Sequence, residues 1–244
     1  MPEPSLHDKV VIVTGGSSGI GLATGLRLAR AGARPVLFAR DPARLRAARE
    51  RFSADALAEP LVCPVDVRRP DAISEAVEQV VGWSGRIDAL VNNAGLMLGD
   101  RPLEDLDPDT WRRIIDTNLN GAWFCTRAVL PQMRVQGAGT IINISSGAAV
   151  RTGFLNIAYG VSKAGLDRMT QGVAAELDGE GIVCLSLSPP YTATETVKRL
   201  YPGRNVASQA APPENTARAV AGLLAGDAVR HHGRVVTVRE YLGD

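Results

Sequence analysis

Hydrophobic positions along the chain fall into short unbroken runs separated by longer stretches of helical spacing. Residues 9–14, KVVIVT, are apolar and β-branched, which predicts a strand buried on both faces. Residues 20–32, IGLATGLRLARAG, repeat their apolar positions every three or four residues and stop at a glycine, which predicts a helix. The alternation continues with a strand at 35–39, a helix opening on Asp41-Pro42, a strand at 61–65, a helix at 70–83 and a strand at 87–91. A long helix over 107–133, a strand at 140–145, a helix near 158–177 and a strand at 182–187 follow. Residues 189–213 read as irregular, and a helix at 214–226 and a strand at 234–238 close the pattern.

Strand and helix alternating in this way, with near-continuous apolar strands, predict a parallel sheet covered on both faces. The expected fold is α/β: a doubly wound, seven-stranded parallel sheet in a single domain over residues 1–244. No linker or short repeat interrupts it.

Composition narrows the partners. The 244 residues carry a formal net charge of +1, so no overall field favours nucleic acid or an anionic membrane. No apolar run approaches the ~20 residues of a membrane span, and the first residues lack a signal-like pattern. Cys63, Cys125 and Cys184 are far apart and show no CxxC spacing, as expected of buried thiols in a reducing compartment. The reading is a cytoplasmic protein with no metal site: His7, His231 and His232 have no ligand spacing, and the adjacent pair is expected to be solvated or at an interface.

Three stretches carry chemistry. Thr14–Gly21, TGGSSGIG, lies between the first strand and the first helix. Its glycines permit a tight turn and close backbone approach, and a helix N-terminus there offers N–H groups to a phosphate. AYGVSKAG places Tyr159 four residues before Lys163, on one helical face, and lysine occurs only at positions 9, 163 and 198. A phenol needs roughly 4 kcal/mol to move from ~10 toward ~7, and an ammonium at ~4 Å supplies about that in a shielded site. Ser146 follows the strand at 140–145, at the carboxyl edge where open α/β sheets bind ligands.

Together, TGxxxGIG at 14–21, NNAG at 92–95, Asn118, NISS at 143–146 and YGVSK at 159–163 resemble the short-chain dehydrogenase/reductase family over nearly the whole chain. The nearest-looking members are 3-oxoacyl thioester reductases and broad ketone reductases. The resemblance implies a Rossmann-type fold and hydride transfer between NADP(H) and a ketone or secondary alcohol. It implies Asn118, Ser146, Tyr159 and Lys163 as the catalytic set, with Ser146 preferred to Ser145 and Asn118 to Asn120. It places the cofactor on Gly15, Ser17, Ser18, Gly19, Ile20, Gly21, Arg40, Asp66, Val67, Asn92, Ala94, Gly95, Tyr159, Lys163, Pro189, Thr192 and Thr194. Asn92 reads as more structural than catalytic.

Arg40 follows the second strand, where a carboxylate would select NAD; an arginine favours the 2′-phosphate, so NADP(H) is expected over NAD(H). A homotetramer or homodimer is expected, with a lid about 190–213 in which Tyr191, Leu200 and Tyr201 are available to line a pocket and Arg199 and Arg204 to meet an acidic group. Leu96, Met97, Arg151 and Phe154 flank the expected centre. Two departures stand out. Pro189-Pro190 replaces the usual Pro-Gly, and Arg239-Glu240 replaces the usual Asp-Gly-Gly near the last strand. The alternatives are a weak or inactive NADP(H)-binding regulator of the same fold and a sugar-nucleotide epimerase, whose glycine spacing and larger C-terminal region this chain lacks.

Overall fold

Alternate residues of the first strand point to opposite faces, and both faces are covered. A computed structural model of the chain describes residues 5–152, 156–202 and 210–243. The described residues build one seven-stranded, all-parallel sheet: β1 (Val10–Thr14), β2 (Arg34–Ala39), β3 (Leu61–Pro64), β4 (Ala89–Asn92), β5 (Gly139–Ile144), β6 (Ile182–Ser188) and β7 (Val235–Thr237), in the order β3-β2-β1-β4-β5-β6-β7. Val11 and Val13 face one layer, formed by α1 (Gly19–Arg30), α2 (Pro42–Ala54) and α8 (Pro213–Leu224). Val10 and Ile12 face the other, formed by α3 (Pro70–Ser84), α5 (Gly121–Gln136) and α6 (Ile157–Glu176). This two-sided burial is why the strands read as unbroken apolar runs.

The helix starts follow their local chemistry. Asp41 caps α2, its carboxylate accepting from Ala43 N at 2.8 Å and Arg44 N at 3.3 Å, with Pro42 in the first turn. Asp107 caps α4 (Pro108–Ile115) in the same way, accepting from Thr110 N at 2.8 Å. The long helix expected over 107–133 is present, but Asp116–Asn120 form a π-helical turn between α4 and α5. Such a wide turn re-aims a side chain, and here Asn118 is buried inside it.

Three sequence expectations are corrected. The irregular stretch at 189–213 contains helix α7 (Glu195–Leu200), whose cap is Thr194 accepting from Val197 N at 3.3 Å. The strand expected over 234–238 ends at Thr237, because Thr237 and Glu240 form a capping box that starts α9 (Val238–Leu242). His232 is tied into the fold although it stays partly exposed: its ring accepts from Cys184 N at 3.2 Å through Nδ1 and donates to Ala174 O at 2.9 Å through Nε2, tying α6 to β6. His231 instead packs against the Tyr241 ring, edge-on, with centroids 6.0 Å apart. Among the described residues no helix is long and apolar enough to cross a membrane, and no cluster of His, Cys, Asp and Glu could hold a metal ion.

The His232 bonds generate a test. His232→Ala should cost about 1–3 kcal/mol in urea unfolding, the range for leaving buried backbone groups unpaired, whereas His231→Ala should cost less. Equal losses in the two variants would contradict this role for His232.

Candidate active site

The strand order reverses direction between β1 and β4, and the carboxyl ends of these two strands open the crevice. Thr14, the last residue of β1, stitches them together. Its hydroxyl oxygen accepts from Asn93 N at 3.0 Å and Ala94 N at 2.9 Å, while Asn93 Nδ2 donates back to Thr14 O at 2.8 Å. Neither Thr14 nor Asn93 was singled out in the sequence, where the neighbouring Gly15 and Asn92 drew attention instead.

Glycine is required in the loop that follows. Gly15 has φ +66°, and a Cβ there would approach Asn93 Nδ2 to 2.9 Å; a Cβ on Gly21 would collide with the Gly15 carbonyl. Gly19 has φ +53° and faces Thr194, whose methyl would stand 3.3 Å from an added Cβ. Ser17, Ser18 and Ile20 surround the start of α1, where Ser18 makes no side-chain cap and no acidic residue occupies the first turn. The exposed N–H groups and the dipole of that turn suit a pyrophosphate. Ala94 and the exposed Gly95 continue this floor; an added Cβ on Gly95 would meet Asn118 Oδ1 at 3.7 Å and Lys163 Nζ at 3.8 Å, so the backbone there leaves room beside both groups. A dinucleotide fits this cradle.

The other expected cofactor residues divide. Arg40 is exposed at the end of β2, and its charge helps hold the Asp66 carboxyl down. The stronger influence on Asp66 is Arg68, whose Nε donates to Asp66 Oδ1 at 3.0 Å. Val67 is buried against Gly121, where an added Cβ would touch its side chain. Asn92 turns into the sheet: Nδ2 donates to Asn143 Oδ1 at 2.9 Å and Thr126 Oγ1 at 3.1 Å. Its side chain therefore joins strands and leaves the crevice to the backbone that follows. Thr192 is buried and donates to Pro190 O at 2.7 Å, so the Pro189-Pro190 turn is braced by the hydroxyl expected to serve a ligand. Of the expected lid, Tyr191, Arg199, Leu200 and Tyr201 are described, and Tyr201 Oη donates to Asp100 Oδ1 at 2.7 Å. Phe154, Arg204 and positions 203–209 lie outside the described residues.

Ser146, Tyr159, Lys163 and Asn118 are gathered at the carboxyl end of β5. Ser146 starts a single helical turn, its Oγ accepting from Ala148 N at 3.2 Å. Tyr159 is half-buried; burial pushes its phenol above the ordinary value, and the neighbouring Ser146 hydroxyl pulls it back. Lys163 is buried, with Nζ 5.7 Å from the Tyr159 ring centroid and donating to Ile144 O at 2.7 Å. Burial brings its ammonium down to about 8. Asn118 accepts from Leu96 N at 2.6 Å and donates to Leu96 O at 3.1 Å and to Ser162 Oγ at 3.0 Å. Ser162, absent from the expected set, in turn donates to Tyr159 O at 2.7 Å, linking the π-helical turn to α6.

A half-buried phenol beside a serine hydroxyl and a buried lysine is equipped to give or take a proton at a carbonyl oxygen. Comparison with known proteins gives the class. Residues 9–205 match the short chain dehydrogenase family, and the chain belongs to it. Among its relatives, it is 39% identical over 189 residues to an uncharacterized oxidoreductase of Staphylococcus saprophyticus, covering 78% of this chain and 80% of that one. It is 35% identical over 195 residues to the 3beta-hydroxysteroid dehydrogenase of Mediterraneibacter gnavus, covering 79% and 69% of the two chains. A short-chain type dehydrogenase/reductase from Mycobacterium marinum superposes with a TM-score of 0.89 at 28% identity, over 96% of this chain and 94% of that one. A variant of actinorhodin polyketide ketoreductase solved with NADPH gives 0.87 at 28% identity, over 97% and 98%. The chain is thus an NAD(P)-dependent oxidoreductase of the short-chain type.

The loop geometry generates the second test. Gly21→Ala should abolish measurable NADPH binding by fluorescence titration, because the new methyl displaces the Gly15 carbonyl that shapes the turn. Binding at the wild-type affinity would contradict a pyrophosphate seat on this loop.

Proposed function

We propose that this chain reduces a ketone to a secondary alcohol, and reverses that reaction, with a preference for NADP(H) over NAD(H). The observation that carries the reading is the gathering of the Tyr159 phenol, the Ser146 hydroxyl and the buried Lys163 ammonium, the last 5.7 Å from the Tyr159 ring centroid, at the carboxyl end of β5. Bound NADPH would supply the hydride. Tyr159 gives its proton to the oxygen of the carbonyl as negative charge develops there. Ser146 donates to the same oxygen and holds the carbonyl against the phenol. Lys163 replaces the lost phenolic charge balance once Tyr159 has given up its proton, and reaches toward the ribose side past Gly95. Asn118 holds the Leu96 backbone and Ser162 in place, which fixes the turn carrying Tyr159. In the alcohol-oxidising direction Tyr159 takes the proton back.

Gly15, Gly19 and Gly21 with the start of α1 would hold the pyrophosphate, and Arg40 would meet a 2′-phosphate. The name of the Mediterraneibacter gnavus relative, a hydroxysteroid dehydrogenase, supports a secondary alcohol as the oxidised partner. Exposed Trp123 on α5 and exposed Ile157 and Val161 on α6 support a homodimer or homotetramer. The proposed lid runs over about 190–213, of which positions 203–209 lie outside the described residues.

Tyr159→Phe should keep NADPH binding and lose at least about 100-fold in turnover on a good ketone, the usual scale of a lost general acid. Turnover near wild type would remove Tyr159 from the role. Arg40→Asp should reverse the preference between NADPH and NADH in kcat/KM; an unchanged ratio would remove Arg40 from cofactor choice.

A further inference from the structure

Helix α7 buries little of itself. Val197 is its buried side chain, while Glu195, Thr196, Lys198 and Arg199 are exposed. A segment with so little buried apolar surface opens locally at lower cost than the sheet beside it. Its place is nevertheless set at its base, at its start and just past its end.

At the base, Ala193 N donates to Ala211 O at 2.9 Å and Ala211 N donates to Tyr191 O at 2.8 Å, a paired neck through which the chain leaves and returns. At the start, the methyl of the capping Thr194 stands 3.3 Å from where a Cβ on Gly19 would be, against the loop that follows β1. At the end, Leu200 Cδ2 lies 3.9 Å from the Cβ position of Gly99, and Tyr201 Oη donates to Asp100 Oδ1 at 2.7 Å. Gly99 and Asp100 belong to the segment that follows β4. The six residues of α7 span about 9 Å. The helix therefore runs from the β1 wall of the crevice to its β4 wall, across the mouth. Of the contacts at the far end, the Tyr201–Asp100 bond is the directional one. It joins two side chains, so it can break without disturbing either backbone.

We propose that Asp100 is a positioning residue: through Tyr201 it latches α7 shut across the crevice, and a bound dinucleotide leaves only when this bond opens. The assignment deepens the reading of the crevice as an NADP(H) seat and rests on it. Spent cofactor must leave before the next turnover, so the latch acts on release and leaves the hydride step alone. It also gives Tyr201 a purpose other than lining a substrate pocket.

The scarcity of lysine gives a direct readout of opening. Lysine occurs only at positions 9, 163 and 198; Lys163 is buried in α6, and Lys198 is exposed on α7. A protease that cuts only after lysine therefore reports, at Lys198, how often α7 lifts. Asp100→Ala and Tyr201→Phe should each speed that cut about three- to tenfold, the scale of one lost hydrogen bond. The double variant should gain little over either single one, and Asp100→Asn, which keeps an acceptor oxygen, should stay near wild type. Saturating NADPH should slow the same cut in wild type, a result that needs no variant. The two single variants should also release NADPH about three- to tenfold faster when chased with excess NADP in stopped-flow fluorescence. Unchanged cutting at Lys198 in both single variants overturns the proposal. So does NADPH release at the wild-type rate while cutting accelerates, or a wild-type cut that saturating NADPH leaves unchanged. A wild-type chain that binds no NADPH overturns the cofactor reading and the gate with it, while faster cutting in the same variants still upholds the Tyr201–Asp100 latch.

Discussion

Polar side chains occupy three neighbouring strands at one level of an otherwise apolar sheet. Asn92 of β4 is in register with Asn143 of β5, and Asn143 with Ser186 of β6. Asn92 donates to Asn143 at 2.9 Å, Asn143 to Thr170 of α6 at 2.8 Å, and Thr170 shares a bond of 2.8 Å with Ser186. Each of these groups is buried, so each must find a partner inside the protein, and breaking one link leaves its neighbour unpaired at a cost of about 1–3 kcal/mol. A purely apolar interface would tolerate sliding of α6 along the sheet. This seam does not, because the Thr170 hydroxyl satisfies Asn143 and Ser186 at one axial position. The helix that carries Tyr159 and Lys163 is thereby set relative to β5, which leads into Ser146.

The crevice is fixed independently on the other side. Thr14 and Asn93 join β1 to β4, and the glycines at 15 and 21 let the loop fold back on itself where a side chain would collide with backbone. Asn118 then connects the two halves. Its π-helical turn allows one amide to bond Leu96 after β4 and Ser162 on α6. A regular helical turn over the same residues would aim that side chain elsewhere. The backbone that follows β4 and the helix carrying Tyr159 and Lys163 are linked through this residue.

Much of this frame was legible in the sequence, for physical reasons. Strands covered on both faces must be apolar at every position, so β1, β2, β4 and β5 stood out as runs. Asp41-Pro42 and Asp107-Pro108 announced helix starts because the capping carboxylate and the proline each act locally. What was not legible depends on distant partners. Thr194-Glu195 carried a cap signal for α7, yet the surrounding prolines and threonines masked it. The capping box at Thr237 and Glu240 was present but was overridden by the β-branched run before it. His232 looks like a surface histidine until its two bonds to β6 and α6 are known. The polar seam is invisible to pattern reading, since a buried polar residue is recognisable only through the groups that pair with it. The wide turn at Asn118 likewise follows from a bond to a loop 22 positions away.

The measurement that bears most directly on the account is reduction of a panel of ketones with NADPH deuterated at the reactive ring carbon. The gathered hydroxyl, phenol and ammonium have a shared purpose only if a carbonyl accepts the transferred hydride in front of them. The account predicts one deuterium on the carbinol carbon of the alcohol for each NADPH consumed. NADPH consumption that leaves no label at that carbon, or no consumption with any carbonyl in a broad panel, would contradict it.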